Sequence, residues 1–288
     1  MIGTYLEEVR HKAPLVHNIT NYVTVNDVAN MILACGASPI MADEPEDAVE
    51  ITAICNSLNL NIGTLNRRTI EGMFAAGRRA KELGHPVLLD PVGAGASSLR
   101  TKTALKIMEE IRPDVIRGNI SEIRTLRDNY TNRRQENAAG GQVSAGATRG
   151  VDADIRDAVT EENLEEGIAF AKAFAQETGC MVAITGAIDL VSDGSACYVI
   201  RNGMPQMSRI TGTGCQLSGL MTAFVAAGGE DKLAAAAAAV CTMGLAGEMG
   251  YQRMQEGDGN ATYRSRIIDA VYQMNGEILD QGAKYEIR

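Results

Sequence analysis

Apolar positions recur along the chain in two rhythms. Short runs rich in Val, Ile, Leu and Ala, bounded by glycine, proline or polar residues, predict strands at Leu15–His17, Ser38–Met41, Leu60–Gly63, Val87–Asp90, Asp114–Arg117 and Met181–Thr185. Between them apolar residues fall every three or four positions. Thr24–Cys35 puts Val25, Val28, Ala29, Ile32 and Leu33 on one helical face. Thr69–Leu83 does the same with Ile70, Met73, Phe74 and Ala80, and Glu161–Thr178 with Leu164, Ile168, Ala171 and Phe174. Gly36, Gly84 and Gly179 follow these helices as stop signals. Strands spaced by helices predict a three-layer α/β fold, a central and mainly parallel sheet flanked by helices. "DLVSDGSACYVI" adds a hairpin at Asp193-Gly194, and from Cys215 onward the chain reads as helical throughout. No linker interrupts the pattern, so one domain over residues 1–288 is expected. The break in texture is Asn132–Gly150, polar and aperiodic with paired glycines, which reads as a mobile surface excursion or an active-site lid.

Composition narrows the function. The 288 residues are 45% hydrophobic and 22% charged, enough for a buried core. A net charge of -9 argues against a nucleic-acid partner but leaves a nucleotide substrate open, because glycine turns and one or two cations bind phosphates in an acidic protein. Cysteines at 35, 55, 180, 197, 215 and 241 have neither CxxC nor zinc spacing, and their apolar flanks fit a reducing cytoplasm. The opening "MIGTYLEEVRHKAP" lacks the apolar core of a signal peptide. "LAAAAAAVCTMGLAGEMG" is apolar but rich in Ala and Gly, and reads as a buried helix rather than a membrane span.

Open parallel sheets bind ligands beyond the carboxyl ends of their strands, so the residues that follow each strand carry the chemistry. Asp90 opens "DPVGAGAS". A carboxylate there can hold Mg²⁺ through water while Gly93 and Gly95 let the backbone approach phosphate, or it can simply cap the turn at Pro91. In "RGNISEI", Arg117 offers a planar fork to phosphate, and Asn119 or Ser121 caps a helix. Glu122 fits either a capping box or a Mg²⁺ site. Thr185-Gly186 can touch a nucleotide phosphate, a weak signal in isolation. The strongest stretch is "RITGTGCQLSG". Gly212, Thr213 and Gly214 form a turn whose N–H groups point into one concavity, ahead of a helix with Leu217, Leu220, Met221, Phe224 and Val225 on its core face. A helix N-terminus carries roughly half a positive charge, suited to a developing phosphoryl charge. The stretch is neither a P-loop nor a dinucleotide GxGxxG, and its plainer reading is a tight turn with a buried thiol. "PLVHNITNYVTVNDVAN" clusters His17, Asn18, Asn21 and Asn26 near a strand end, for ligand or inter-subunit hydrogen bonds, with His17 equally suited to a core role.

Together and in this order, "LVHNITNYVTVNDVAN", "SPIMADEPEDA", "LLDPVGAGAS", "IRGNISEI", "AITGAIDLVSDG" and "ITGTGCQLSGLMTAF" resemble the hydroxyethylthiazole kinase family of thiamine salvage, over residues 15 to 227. The resemblance implies a ribokinase-like fold, phosphorylation of the primary hydroxyl of 4-methyl-5-(2-hydroxyethyl)thiazole by MgATP, and a homotrimer with sites at subunit interfaces. It implies substrate contacts at Met41, Gly212 and Asn21, ATP contacts at Arg117 and Thr185, Mg²⁺ and phosphate organised by Asp90 and Glu122, and Cys215 at the family's characteristic cysteine. Broader ribokinase relatives place aspartate there as the presumed base. Residues 132–150 look longer than the family pattern.

The expected chemistry is in-line phosphoryl transfer, in which positioning and electrostatics dominate and a general base contributes only about 10²–10⁴-fold. Cys215 then either accepts the hydroxyl proton or orients the hydroxyl. The competing expectations are another ribokinase-like kinase of the hydroxymethylpyrimidine or pyridoxal type, a non-catalytic nucleotide-binding regulator, and a dinucleotide-dependent oxidoreductase, the last disfavoured by the missing fingerprint.

Overall fold

The computed structural model describes residues 1–139 and 158–288. Its sheet is built from β1 (Leu15–Ile19), β2 (Ser38–Ile40), β3 (Ser57–Asn61), β4 (Val87–Asp90), β5 (Val115–Asn119), β6 (Met181–Thr185), β7 (Asp189–Ser192), β8 (Cys197–Ile200) and β9 (Tyr285–Ile287). They lie in the order β2-β1-β3-β4-β5-β6-β7-β8-β9. Pairings from β2 through β6 are parallel, and those from β6 to β9 antiparallel. The mainly parallel sheet flanked by helices is therefore as expected.

The helices are α1 (Gly3–Lys12), α2 (Val25–Ala34), α3 (Pro45–Ile54), α4 (Arg67–Glu82), α5 (Ser98–Glu110), α6 (Ile120–Ala139), α7 (Leu164–Thr178), α8 (Thr213–Ala227), α9 (Lys232–Gln252), α10 (Asn260–Gln273) and α11 (Gly276–Gly282). Strand side chains alternate between two cores. Leu88, Val115 and Ala183 face the apolar cluster of α1, α2, α8, α9 and α10. Leu89, Ile116 and Val182 face that of α4 to α7. Helix α8 is buried on almost every side, from Cys215 to Val225, which accounts for its apolar run. The alanine-rich α9 is long and apolar enough to cross a membrane, yet it packs into the core against α8 and α10.

Several boundaries differ from the sequence reading. Strand β3 begins three residues before the predicted Leu60, because Ser57 and Asn59 are polar but buried and disguise the run. Strand β5 is displaced toward Asn119. In α2 the buried side is Val28, Met31 and Ile32, while Leu33 is 54% exposed. The tail is not wholly helical, because β9 returns to pair with β8. Helix α6 continues to Ala139, through the first part of the predicted excursion at 132–150, and the rest of that stretch lies outside the described residues. His17 is fully buried, bonded at Nδ1 to Thr52 Oγ1 (2.8 Å) and at Nε2 to Ala42 O (2.8 Å). Burial holds its pKa down, so it is a neutral core strut between β1 and α3.

Candidate active site

Asp90 ends β4 beneath the first turns of α8, with no exposed surface. Its Oδ2 accepts from Asn61 Nδ2 (2.7 Å), Ser218 Oγ (2.8 Å) and Arg117 Nη1 (3.5 Å). Its Oδ1 is buried and has no protein partner among the described residues. The carboxylate is thus aimed by three groups from three elements, rather than spent on capping Pro91. Burial pushes its pKa up, opposed by Arg117, Ser218 and Asn61.

Arg117 reaches across from β5 and is 7% exposed. Its Nη2 donates to Thr185 Oγ1 at 2.7 Å, so the end of β6 holds one edge of the guanidinium and Asp90 the other. Asp189 Oδ1 accepts from Gly186 N (2.8 Å) and shapes the turn after Thr185. The guanidinium also lies against the glycine turn: a Cβ on Gly214 would be 2.6 Å from Arg117 Nη1. Only glycine admits that approach.

Glu122 sits in the first turn of α6 and realises the capping-box reading. Its Oε2 accepts from Asn119 N (2.9 Å) while Asn119 Oδ1 accepts from Glu122 N (2.9 Å), a reciprocal capping box with Asn119 as cap. Its Oε1 accepts from Gly93 N (2.8 Å) in the loop after β4. Burial first, and the Asp90 charge second, push its pKa up to about 7. The Asp90 charge thus favours the protonated form of Glu122.

Gly212 caps α8 in the left-handed region (φ 83°), where a Cβ would collide with Thr24 Cγ2. Thr213 and Gly214 open the helix, where the first N–H groups have no intrahelical partner. Cys215 follows, 6% exposed. Its Sγ accepts from Asn61 Nδ2 at 3.2 Å and lies 3.9 Å from Asn21 Nδ2. Burial and then the Asp90 charge push the thiol pKa up, so the group is a thiol at neutral pH rather than a thiolate. Met41, just after β2, is half-buried against the same apolar cluster as Cys215. Among the described residues no group of three or more His, Cys, Asp or Glu is spaced to hold a metal by itself.

The profile of the hydroxyethylthiazole kinase family matches residues 6–277. The chain belongs to the hydroxyethylthiazole kinase family. A hydroxyethylthiazole kinase of Clostridium acetobutylicum is 54% identical over 286 residues, covering 99% of each chain. One from Clostridium beijerinckii is 45% identical, covering 97% of this chain and 95% of its own. The solved structure of a hydroxyethylthiazole kinase protein from Pyrococcus horikoshii OT3 superposes with a TM-score of 0.84 at 34% identity, over 100% of this chain and 98% of that one. The pyridoxal kinase of Staphylococcus aureus in complex with ADP matches at a TM-score of 0.61 and 15% identity, a likeness of fold.

In this member of the hydroxyethylthiazole kinase family, the fold draws Asn21, Asp90, Arg117, Glu122, Thr185 and the turn Gly212–Cys215 to the carboxyl ends of the parallel strands. Met41 follows the edge strand β2 and packs against the larger apolar cluster, with no contact to these residues among those described. Asn61, Ser218 and Arg100 escaped the sequence reading. Ser218 was legible in principle: it stands three residues after Cys215, one helical turn along the same face. Asn61 carried no signal while β3 was placed too late, because its in-register partnership with Asp90 follows from the correct strand.

Proposed function

We propose that this chain transfers the γ-phosphoryl group of ATP to the primary hydroxyl of 4-methyl-5-(2-hydroxyethyl)thiazole, a step of thiamine salvage. The observation that carries the reading is the convergence of a buried thiol, a glycine-capped helix start and an arginine–carboxylate pair at the strand ends. The full-length relationship to hydroxyethylthiazole kinases supports the choice of acceptor.

Asp90 and Glu122 suit Mg²⁺. This cation is held by one or two carboxylates together with substrate phosphates and water, so a protein cage of three ligands is not required. The free Oδ1 of Asp90 supplies a ready ligand atom. When bound, Mg²⁺ neutralises charge on the β- and γ-phosphates. The chain's own groups do the remainder. Arg117 and Thr185 hold the nucleotide phosphates. The N–H groups of Thr213 and Gly214 stabilise the equatorial oxygens of the moving phosphoryl. The acceptor oxygen bonds to phosphorus as the bond to the β-γ bridging oxygen breaks, and ADP departs.

Cys215 is read as the guide of the acceptor hydroxyl. Its sulfur is already a hydrogen-bond acceptor for Asn61, and a buried thiol held in its protonated form is a poor base. The hydroxyl proton then leaves late, to the transferred phosphate itself, as suits a loose transition state. Met41, Asn21 and Gly212 would bound the thiazole.

The same reading includes one catalytic domain, a cytoplasmic setting and a homotrimer. Tyr22 and Val23, 54% and 68% exposed beside Asn21, form an apolar rim that a neighbouring subunit would cover. The test is phosphate transfer from ATP to the thiazole alcohol, with hydroxymethylpyrimidine and pyridoxal as control acceptors and EDTA as a metal control. Turnover of the thiazole alone, abolished by EDTA, is expected. Turnover confined to a control acceptor overturns the assignment.

A further inference from the structure

Arg100 stands at the start of α5, in the "GASSLR" stretch that follows β4, and is half-buried. Its Nη2 donates to Gly63 O at 2.8 Å, beyond the end of β3. A Cβ on Gly93 would collide with its Nη1, so the guanidinium lies against the loop whose Gly93 N–H holds Glu122. Gly63 N in turn donates to Asn61 Oδ1 (2.9 Å), and a Cβ on Gly63 would be 2.5 Å from Asn21 Nδ2. One residue, Gly63, thus touches Arg100 and both asparagines that reach the Cys215 sulfur.

Among the described residues, the Arg100 side chain has Gly63 O as its hydrogen-bond partner and no carboxylate within ion-pair distance. Arg117, by contrast, is committed to Asp90 and Thr185. An arginine carries five N–H donors in a fixed fork, and one carbonyl leaves most of them unused. A half-buried cation that is tethered but not neutralised, at the rim of a phosphate site, is positioned for an anion.

We propose that Arg100 contacts the γ-phosphoryl group of ATP from the Gly63–Gly93 side of the site, while Arg117 reaches the phosphates from the Gly214 side. The proposal rests on the kinase reading, but its test does not need the acceptor. Binding of ADP and of the methylene analogue of ATP, both with Mg²⁺, is measured by calorimetry on the full chain and on Arg100→Gln. Glutamine removes the charge while keeping an amide donor on a shorter stem, and the ADP arm reports any general loss of structure from the broken tether.

The ATP analogue should bind Arg100→Gln about tenfold or more weakly, with ADP binding within about threefold of the parent, the size expected for one charge-assisted hydrogen bond. Equal loss for both nucleotides, or no loss for either, overturns the proposal. Arg100→Met, read the same way, serves if the glutamine variant does not melt like the parent. If the parent fails to phosphorylate the thiazole alcohol, the choice of acceptor fails while the ratio of the two nucleotides still decides Arg100.

Discussion

Asp90 and Cys215 share one hydrogen-bond donor: the side-chain amide of Asn61 gives one proton to Asp90 Oδ2 at 2.7 Å and the other to Cys215 Sγ at 3.2 Å. The Asn61 carbonyl is pinned by Gly63 N, so the amide cannot turn away. The spacing between the carboxylate and the sulfur is therefore set by a single planar group. Asn61→Leu removes both bonds at similar volume. A kcat loss of about 10²-fold with a nearly constant KM for ATP is expected, the scale for a misplaced reacting geometry. Steady-state kinetics checks it, and a matching rise in both KM values with unchanged kcat would refute the positioning role.

Cys215→Ala should lower kcat by less than about tenfold, below the 10²–10⁴-fold typical of a lost general base. Cys215→Asp should remain active, since Asn61 can donate to a carboxylate as it does to sulfur. A loss near 10³-fold in the alanine variant, restored by aspartate, would make Cys215 a base after all.

Glu122 gives the site a pH dependence with a definite sign. Its folded pKa of about 7 lies above the ordinary 4.5, so its contribution to stability is present below about 4.5 and is lost as pH rises through about 7. The nucleotide-free enzyme should therefore lose melting temperature over that window. If Glu122 holds Mg²⁺ as proposed, Mg·ADP affinity should climb toward about pH 7 and its uptake should release a proton. Calorimetry in two buffers of different ionisation enthalpy measures the release, and Glu122→Gln should abolish it.

Gly212→Ala must place a side chain in the left-handed region and against Thr24. A stability loss of at least about 1–2 kcal/mol is expected from the backbone alone. Gly214→Ala instead meets the Arg117 guanidinium. It should spare the melting temperature relative to Gly212→Ala but raise the KM for ATP by about tenfold, the scale of one displaced charge-assisted bond. Thermal melts and ATP titrations of the two variants separate these outcomes.

How far the sequence speaks depends on whether a residue's job is local. Glycine stops, the Asp193-Gly194 hairpin and the apolar runs of β4 and β6 are local signals, and the elements lie where those signals put them. The spacing of Asn119 and Glu122 announced the cap that is seen. The polar face of β3 gave the opposite impression. Ser57, Asn59 and Asn61 look like a loop until β1, β4 and α8 supply partners such as Asn18 and Asp90. Arg100 was hidden for a similar reason, because its tether is a carbonyl 37 residues away. Tyr285–Ile287 became a strand only because β8 offered a free edge.

Helix α8 delivers Cys215 and Ser218 to the site while the rest of its surface is walled in by core. Redesign toward a different acceptor alcohol therefore has almost no latitude on that helix, where a larger side chain would have to displace the protein's own centre. The latitude lies with the exposed Tyr22 and Val23 beside Asn21. A library confined to those positions, kept to variants that still assemble as the parent does, should broaden the range of alcohols accepted without costing yield of folded protomer, and one spread along α8 should do the reverse.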